Sequence, residues 1–231
     1  MPVQEDVSSE AMAGRSLATA IAACLPQGAR FDCGPLSERQ GPLIGNEDAE
    51  IAQAVEARRM GFRAGRTCAR SALRKLGIEA VAIPAAADRR PLWPEGTVGS
   101  ISHSDHFAAA ICARTDDFVG LGIDIEPATP LASGLAEAIC RPEERALEAP
   151  GIKDAAKLVF VIKEAFYKAY YPATRQFLDF PDARVVLGDA KGFVVSLTDP
   201  DHPALAGRRT IAGRWAMAEG HLIAVAALTR D

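Results

Sequence analysis

Long apolar runs are missing from this chain of 231 residues. A membrane-spanning helix needs about 18 or more consecutive apolar residues, so we predict no stable insertion into a membrane. Residues 17–25 are apolar enough to suggest the core of a signal peptide, but the segment before them is acidic, whereas a secretory leader is basic. We therefore expect a cytoplasmic protein whose first residues form a short helix or a loose segment.

Paired cysteines are missing too. The chain has five cysteines, an odd number, and no Cys-x-x-Cys pair. That pattern is typical neither of a disulfide framework nor of a zinc site. A chain of this length buries roughly 70% of its unfolded surface, so its core needs no covalent cross-link. We expect reduced thiols.

An excess of basic residues is also absent. The 26 lysines and arginines face 30 acidic residues, for a formal net charge of −4, and this balance argues against a general nucleic-acid binder. The Gly-x-Ser-x-Gly elbow of many serine hydrolases does not occur either. The composition is otherwise that of a globular protein with one large domain or two small ones.

Two long helical patterns are present, each accompanied by several strand patterns. Residues 47–76 and 154–171 have helical periodicity, and Gly77 and Pro172 are the expected stop signals. The arrangement suggests two α/β units divided near residues 116–119. The remaining predicted elements are single strands at 29–33, 80–83, 97–101, 107–113 and 119–126, short helices at 133–139 and 142–147, and two hairpins, 183–187 with 192–197 and 210–218 with 221–228.

The strand at 119–126 is the first candidate site. Side chains alternate between the two faces of a strand, so its larger apolar residues are expected to face a core. Two glycines on the other face leave room for a ligand beside two carboxylates about 7 Å apart, an arrangement that suits Mg²⁺. An ordinary edge strand with two solvated acids is the alternative. The core face comprises Val119, Leu121, Ile123 and Ile125, and the opposite face comprises Gly120, Gly122, Asp124 and Glu126.

The helix at 154–171 is the second candidate site. Lys157, Glu164 and Lys168 share the side opposite its apolar face, and Lys163 lies about a quarter-turn from Glu164. One interpretation is a solvated face with a Glu-to-Lys pair four residues apart. If this face packs against the 119–126 strand instead, Glu164 becomes a third carboxylate at the metal and Lys168 a cation beside a bound phosphate.

A basic stretch is the third candidate site. Its five arginines recur at spacings of four, three, four and four residues, which places them in one sector of a helix. Like charges at this spacing repel, so the sector suggests an anionic partner, since guanidinium groups bind phosphate in pairs of hydrogen bonds. A solvated basic face is the alternative, and the aromatic platforms that bind single-stranded nucleic acid are missing nearby. These arginines are Arg59, Arg63, Arg66, Arg70 and Arg74.

Four motifs in order carry a family resemblance: Trp93-Pro94, Gly99-Ser-Ile-Ser-His103, Ile123-Asp-Ile-Glu126 and Lys163-Glu-Ala-Phe-Tyr-Lys168. Together with residues 66–73 they resemble the 4′-phosphopantetheinyl transferase superfamily. The sequence is most similar to the branch that serves siderophore and other nonribosomal peptide synthetases, the enterobactin-synthase or surfactin-synthetase type. The resemblance covers about residues 55–172.

The resemblance implies an α/β (α+β) fold of two similar halves related by a pseudo-twofold axis, each a long helix packed on a small, mainly antiparallel sheet. The halves would be residues 1–117 and 118–231, with the active site at their junction. It implies transfer of the 4′-phosphopantetheine arm of coenzyme A to a serine of an apo acyl or peptidyl carrier protein, releasing adenosine 3′,5′-bisphosphate. It also implies Mg²⁺ as cofactor and a monomeric enzyme.

The same resemblance assigns roles to individual residues. Asp124, Glu126 and Glu164 would hold the metal, and Glu164 would also take the proton of the incoming serine. Lys168 would stabilise the leaving phosphate, assisted by Lys163. Ser102 and His103 would hold coenzyme A, with His103 at the 3′-phosphate. The candidates for the adenosine and 3′-phosphate end are Arg63, Arg66, Arg70, Arg89 and Arg90.

Two other functions are compatible with these residues. A Mg²⁺-dependent nuclease or phosphohydrolase also uses clustered carboxylates, but it would act without a carrier protein. A module that binds coenzyme A or a carrier protein without catalysis is the second alternative. The intact set of Asp124, Glu126, Glu164 and Lys168 favours the transferase.

Overall fold

Two antiparallel sheets meet in the structure, a computed structural model that describes residues 3–79 and 81–230. The helices are α1 (Val3–Cys24), α2 (Glu56–Arg74), α3 (Leu135–Ile139) and α4 (Ala155–Thr174). The strands are β1 (Arg30–Pro35), β2 (Thr97–His103), β3 (Phe107–Arg114), β4 (Phe118–Pro127), β5 (Ala183–Leu187), β6 (Gly192–Leu197), β7 (Thr210–Ala218) and β8 (His221–Thr229). Short 3-10 turns occupy Leu36–Glu38, Ala49–Ile51, Pro142–Ala146, Phe180–Asp182 and Asp189–Lys191.

The predicted fold class is confirmed. The smaller sheet has the strand order β1-β3-β2 and packs on α2, while the larger sheet has the order β4-β8-β7-β6-β5 and packs on α4. Neighbouring strands pair antiparallel throughout both sheets. Both predicted hairpins, β5–β6 and β7–β8, are present. Within residues 3–79 and 81–230, no helix has both the length and the apolar character that crossing a bilayer requires.

The N-terminal segment differs from the prediction of a short helix or a loose stretch. It forms α1, a helix of 22 residues. Leu17, Ile21 and Cys24, spaced four and three residues apart, are buried in a core shared with both sheets. The sequence obscured this helix because the many small residues of the segment weaken the contrast between its apolar and polar faces.

The cysteines are buried thiols in the structure. All five are free, and burial raises the pKa of Cys24 to about 11 and that of Cys33 and Cys112 to about 12. A thiol with so high a pKa carries almost no thiolate at neutral pH, so these side chains behave as small apolar core residues.

The prediction of a strand at 80–83 is wrong for residues 81–83. Residue 80 lies outside the described part of the chain. Residues 81–83 pair with no strand there. Side chains satisfy the backbone of Ile83 instead, because its N–H donates to Glu47 Oε1 (2.7 Å) and its carbonyl oxygen accepts from Arg66 Nε (2.6 Å). The predicted helix at 47–76 also begins later, at Glu56.

Glu47 joins this loop region to α2 through a buried ion pair. Its fully buried carboxylate accepts two hydrogen bonds from Arg70 Nη1 (3.0 and 2.9 Å), and Arg70 Nη2 donates to the Pro42 carbonyl oxygen (2.6 Å). The N–H of Ile44 donates to the same carboxylate (2.9 Å). Arg70 is therefore part of the framework, and the prediction that it binds coenzyme A is not supported by its position.

Helix α4 begins at an Asp154 cap and continues past the predicted stop. Asp154 Oδ1 accepts from the N–H of Ala156 (3.0 Å). Pro172 lies inside the last turn rather than ending the helix, which closes only at Arg175 in a left-handed conformation with φ of 58°. The predicted apolar face of α4 is confirmed as buried: Leu158, Val159, Ile162, Ala165, Phe166 and Ala169.

The glycines of β4 allow the backbone of α4 to approach the strand closely. A Cβ atom at Gly122 would lie 1.9 Å from the Ala165 carbonyl oxygen, and one at Gly120 would lie 2.5 Å from the Ala169 carbonyl oxygen. The prediction that these glycines leave room for a ligand is therefore wrong, since the helix backbone fills that space. Leu121, Ile123 and Ile125 face the core as predicted, but a register shift between Phe118 and Gly120 places Val119 against the other core.

We predict that Gly122→Ala lowers the free energy of unfolding by about 3 kcal/mol, because the new methyl group would overlap a helix carbonyl oxygen that cannot move alone. Urea unfolding measures the change. Gly188→Ala is the matched control, since its Cβ would meet its nearest neighbour at 3.8 Å, and it should change stability by less than about 0.5 kcal/mol. Equal stability of the two variants would contradict the close approach.

Arg70→Gln should lower the free energy of unfolding by about 4 kcal/mol, because it leaves the Glu47 carboxylate buried without its cation. Arg63→Gln is the control on the same helix. Arg63 is exposed, so its replacement should alter stability by less than about 0.5 kcal/mol. Wild-type stability of Arg70→Gln in urea, accompanied by weaker binding of coenzyme A, would instead favour a ligand role for Arg70.

Candidate active site

The centre of the site is an ion pair between β4 and α4. Lys168 Nζ lies 2.6 Å from Asp124 Oδ1, and the Ser102 hydroxyl donates to the same oxygen (2.9 Å). Asp124 is almost completely buried, yet its second oxygen, Oδ2, has no hydrogen-bond partner among the described residues. A buried carboxylate oxygen without a partner is costly. The site is therefore built to receive a further donor or a cation at Oδ2.

Two serines of β2 connect the smaller sheet to this strand. The hydroxyl oxygen of Ser100 accepts from the N–H of Ile123 (3.1 Å), and that of Ser102 accepts from the N–H of Ile125 (3.2 Å). Because Ser102 also donates to Asp124, its single hydroxyl bridges the two sheets and orients the carboxylate at once. Ser102 thus lies in the site, although its observed contacts are to the protein.

The three predicted carboxylates lie within electrostatic reach of one another. Burial raises the pKa of Glu164, the charge of Asp124 raises it further, Lys168 opposes this, and Glu126 adds a smaller increase. Glu126 Oε2 lies 2.7 Å from Lys157 Nζ. Within the described part of the chain, no three His, Cys, Asp or Glu side chains already converge as a metal site. The carboxylates share one region, and two of them are held by lysines.

His103 ends β2 beside the ion pair and packs on α2. A Cβ atom at Gly61 would lie 2.7 Å from the imidazole ring, so the ring rests directly on the helix backbone. His103 as a whole residue nevertheless remains exposed to solvent. Desolvation on the packed side, followed by the charges of Lys168 and Arg58, lowers the pKa of His103 from its ordinary value of 6.5. The imidazole is therefore largely neutral at pH 7.

Two cavities meet at Glu164 and Tyr167. The larger, about 370 Å³, lies between the 88–101 segment and α4, and the smaller, about 150 Å³, is a mostly apolar cleft between α4 and residues 177–183. Arg89, Arg90 and Lys168 all line the larger cavity, together with Glu164. One cavity therefore combines basic and acidic groups, and an apolar cleft opens beside it.

The other predicted basic ligands lie elsewhere. Arg66 is buried, with its guanidinium 4.1 Å from the centre of the Phe62 ring. Burial lowers its pKa, an effect opposed by the charges of Glu50 and Glu47. Like Arg70, it is engaged in the framework, so two of the five arginines of the α2 sector serve the protein's own structure. Of that sector, Arg63 and Arg74 remain exposed.

Lys163 is not among the residues that line the larger cavity, and its predicted contact with coenzyme A is not supported by its hydrogen bonds. Its buried ammonium donates to Glu144 Oε2 (2.7 Å), to the Ile139 carbonyl oxygen (2.9 Å) and to the Phe180 carbonyl oxygen (2.9 Å). An ammonium group has three donors, and all three are used. Burial lowers the pKa of Lys163, and Glu144 opposes the effect. The residue anchors α4 to the segments on either side of it.

Sequence reasoning assigned no role to three contributors to the site: Lys157, Ser100 and Gly61. Lys157 could have been assigned to the site from its spacing, because it shares one side of the helix with Glu164 and Lys168. Ion pairs join that side to β4. Nothing in the sequence distinguished the other two, since their roles depend on which segments become neighbours in space.

Comparison with known proteins gives consistent matches over most of the chain. Residues 46–113 match the model of the 4′-phosphopantetheinyl transferase N-terminal domain, and residues 120–226 match that of the 4′-phosphopantetheinyl transferase superfamily. The chain is 37% identical over 195 residues to 4′-phosphopantetheinyl transferase Svp of Streptomyces mobaraensis, covering 80% of this chain and 78% of that protein.

Two further relatives come from other bacteria. The chain is 37% identical over 180 residues to 4′-phosphopantetheinyl transferase PptT of Mycobacterium tuberculosis, covering 74% of this chain and 79% of that protein. It is 33% identical over 208 residues to enterobactin synthase component D of Salmonella typhi, covering 87% and 85% of the two chains.

Proposed function

Since the chain belongs to the 4′-phosphopantetheinyl transferase superfamily, we propose that it transfers the 4′-phosphopantetheine arm of coenzyme A to a serine hydroxyl of an apo carrier protein. The protein is an enzyme of this kind, and adenosine 3′,5′-bisphosphate is the second product. The observation that carries the proposal is the almost completely buried Asp124, which lies at the junction beside Glu164 and Lys168 and whose Oδ2 has no hydrogen-bond partner within residues 3–79 and 81–230.

The two cavities suit the two ends of coenzyme A. The molecule has a nucleotide end with three phosphate groups and a long, weakly polar arm. Arg89 and Arg90 in the larger cavity provide charge for the phosphates, and the apolar cleft offers space for the arm. The pyrophosphate between them would then lie beside Glu164, which borders both cavities. Arg63 and the neutral ring of His103 are additional candidates for the 3′-phosphate.

Glu164 is the proposed general base. In the reaction, the carrier serine oxygen forms a bond to the pantetheine-side phosphorus, and the bond from that phosphorus to the bridging oxygen breaks. The serine proton passes to the Glu164 carboxylate, directly or through one water molecule. A raised pKa makes this carboxylate a better proton acceptor than an exposed glutamate. Lys168 would stabilise the negative charge on the departing phosphate.

Asp124, Glu126 and Glu164 are the proposed ligands of Mg²⁺. The fit is supported by the buried Asp124 Oδ2, which has no hydrogen-bond partner among the described residues, and by the purely oxygen donor set, which Mg²⁺ prefers. When bound, the ion would neutralise charge that develops on the phosphates. Lys157 holds Glu126 at the edge of this set.

We also propose the finer assignments that the relatives suggest. The matched segments, 46–113 and 120–226, fall on either side of residue 117, which supports halves at 1–117 and 118–231. The likeness to enterobactin synthase component D supports a role in siderophore or other nonribosomal peptide assembly. We propose that the enzyme acts as a monomer in the cytoplasm.

Mass measurement of a carrier protein tests the function directly. The enzyme is incubated with coenzyme A, Mg²⁺ and an apo peptidyl carrier protein, and the carrier should gain the mass of one phosphopantetheine. A carrier with its acceptor serine replaced by alanine should gain nothing. Release of phosphate or nucleotide without carrier modification would favour a phosphohydrolase. Binding of coenzyme A without any reaction would favour a non-catalytic module.

Glu164→Gln should lower the transfer rate by about 100- to 10,000-fold, the usual contribution of a general base. The same variant should be more stable than the wild type at pH 8. The fold raises the pKa of Glu164 above its ordinary value of 4.5, so folding disfavours the ionised carboxylate. That penalty grows as pH rises above 4.5 and disappears below it. Transfer assays and urea unfolding at pH 8 and pH 4 measure both effects.

Glu148→Gln is the control for this prediction. Glu148 is exposed and lies outside both cavities, so its replacement should leave transfer unchanged and stability nearly unchanged at both pH values. A Glu164→Gln variant that keeps wild-type transfer would remove Glu164 from the mechanism. A variant that is inactive but no more stable at pH 8 would contradict the electrostatic description of the site.

A further inference from the structure

The Asp88 carboxylate connects the two halves of the protein at the rim of the larger cavity. Its Oδ2 accepts from the Tyr171 hydroxyl (3.1 Å) and from Arg175 Nη1 (3.1 Å), both on or next to the end of α4. Arg90 Nε lies 3.3 Å from the same oxygen, and the backbone N–H of Arg90 donates to Oδ1 (3.3 Å). We call the set of Asp88, Arg90, Tyr171 and Arg175 the Asp88 clasp.

On the N-terminal side, the clasp holds a tight loop that carries two cavity-lining arginines. Ala85 and Pro91 form an isolated bridge, and the N–H of Ala86 donates to the Arg90 carbonyl oxygen (2.9 Å). Arg89 at the tip has φ of 68°, a conformation that a residue with a side chain adopts only when its surroundings impose it. The loop shape thus fixes where Arg89 and Arg90 stand.

On the C-terminal side, the clasp holds the stripe of α4 that lines the larger cavity. Glu164, Lys168 and Tyr171 follow one another at spacings of four and three residues, which places them on one side of the helix, and Arg175 follows as the C-terminal cap. Arg175 caps the helix with φ of 58°, and its N–H donates to the Tyr171 carbonyl oxygen (2.8 Å). The clasp therefore joins the arginine loop to the same stripe that carries the proposed base.

Stability alone does not account for this arrangement. Asp88 is 30% exposed and Arg175 is 47% exposed, and ion pairs at such exposure contribute little to folding. The clasp instead sets the separation between the cavity-lining arginines and the Glu164–Lys168 stripe. That separation determines how the anionic end of a ligand lies when its pyrophosphate is at Glu164.

We propose that Asp88 is a positioning residue that holds Arg89 and Arg90 at the distance from α4 that coenzyme A requires. The proposal rests on the proposed function, because it assigns a part of the coenzyme A site. It places Asp88 outside the reacting atoms. Its effect should therefore appear in the binding of coenzyme A and not in the chemical step.

Asp88→Asn distinguishes a role in charge from a role in positioning, because the two roles predict opposite changes in the KM for coenzyme A. Removing a negative charge beside two arginines would tighten the binding of an anion if Asp88 acted only through its field. If Asp88 positions the arginines, the loosened loop should raise the KM for coenzyme A about tenfold while kcat changes less than about twofold. Tyr171→Phe, which keeps the charge of the clasp, should raise this KM about threefold. Asp88→Glu should recover most of the wild-type KM.

Hydrogen exchange, followed by mass spectrometry, tests the clasp without coenzyme A. Amides of residues 85–92 should exchange faster in Asp88→Asn than in the wild type, and those of β4 should not. Asp32→Asn is the matched control. Asp32 also pairs with two cations, Arg39 and Lys75, but it does not line the cavity, so both its KM and the exchange at 85–92 should match the wild type.

The outcomes separate the clasp from the proposed function. A lower KM for coenzyme A in Asp88→Asn, or unchanged exchange at residues 85–92, would overturn the positioning role. Faster exchange with an unchanged KM would overturn it as well, because the loop would then be held without any consequence for binding. If the wild type neither binds coenzyme A nor modifies a carrier, the proposed function fails, and exchange alone decides whether Asp88 holds the loop.

Discussion

The close approach of β4 to α4 is the constraint on which the rest of the site depends. Gly120 and Gly122 remove every side-chain atom between the strand and the helix carbonyl oxygens. The strand can then place Asp124 Oδ1 2.6 Å from Lys168 Nζ, and Glu126 Oε2 2.7 Å from Lys157 Nζ. A strand with any larger residue at these positions would stand away from the helix and separate the carboxylates from the proposed base. The geometry of the proposed site therefore follows from contact between two backbones.

Two kinds of buried charged group can be distinguished among the described residues. Glu47 with Arg70, and Glu144 with Lys163, are pairs in which neighbouring backbone groups also take part, and they fix loops to helices. Asp124 differs, because one of its oxygens has no partner among the described residues. A framework ion pair is satisfied within the protein, whereas a group prepared for a ligand retains bonding capacity. This distinction separates the structural charges from the site more sharply than burial does.

Much of the fold could be predicted from local patterns, whereas the use of individual charged residues could not. Alternation in 119–126 and helical spacing in 154–171 correctly identified β4 and α4 and the sides on which Asp124, Glu164 and Lys168 lie. The spacing of the α2 arginines also placed them correctly in one sector of the helix. Periodicity, however, gives only the direction in which a side chain leaves the helix and not the group that it meets. Whether Arg70 meets water or Glu47 depends on a loop that packs there from 23 residues away. Lys163 was misassigned for the same reason, since Glu144 and two carbonyl oxygens reach it only in the folded chain.

The serine contacts between β2 and β4 restrict how the sequence of this protein can evolve. Ser100 and Ser102 accept the N–H groups of Ile123 and Ile125 through single hydroxyl oxygens, so the two halves are aligned by side chains and not by a continuous ladder. A backbone ladder tolerates almost any sequence, but a hydroxyl bridge does not. A substitution in either half must therefore remain compatible with the other half, so the half that carries Arg89 and Arg90 cannot change independently of the half that carries Asp124 and Glu164.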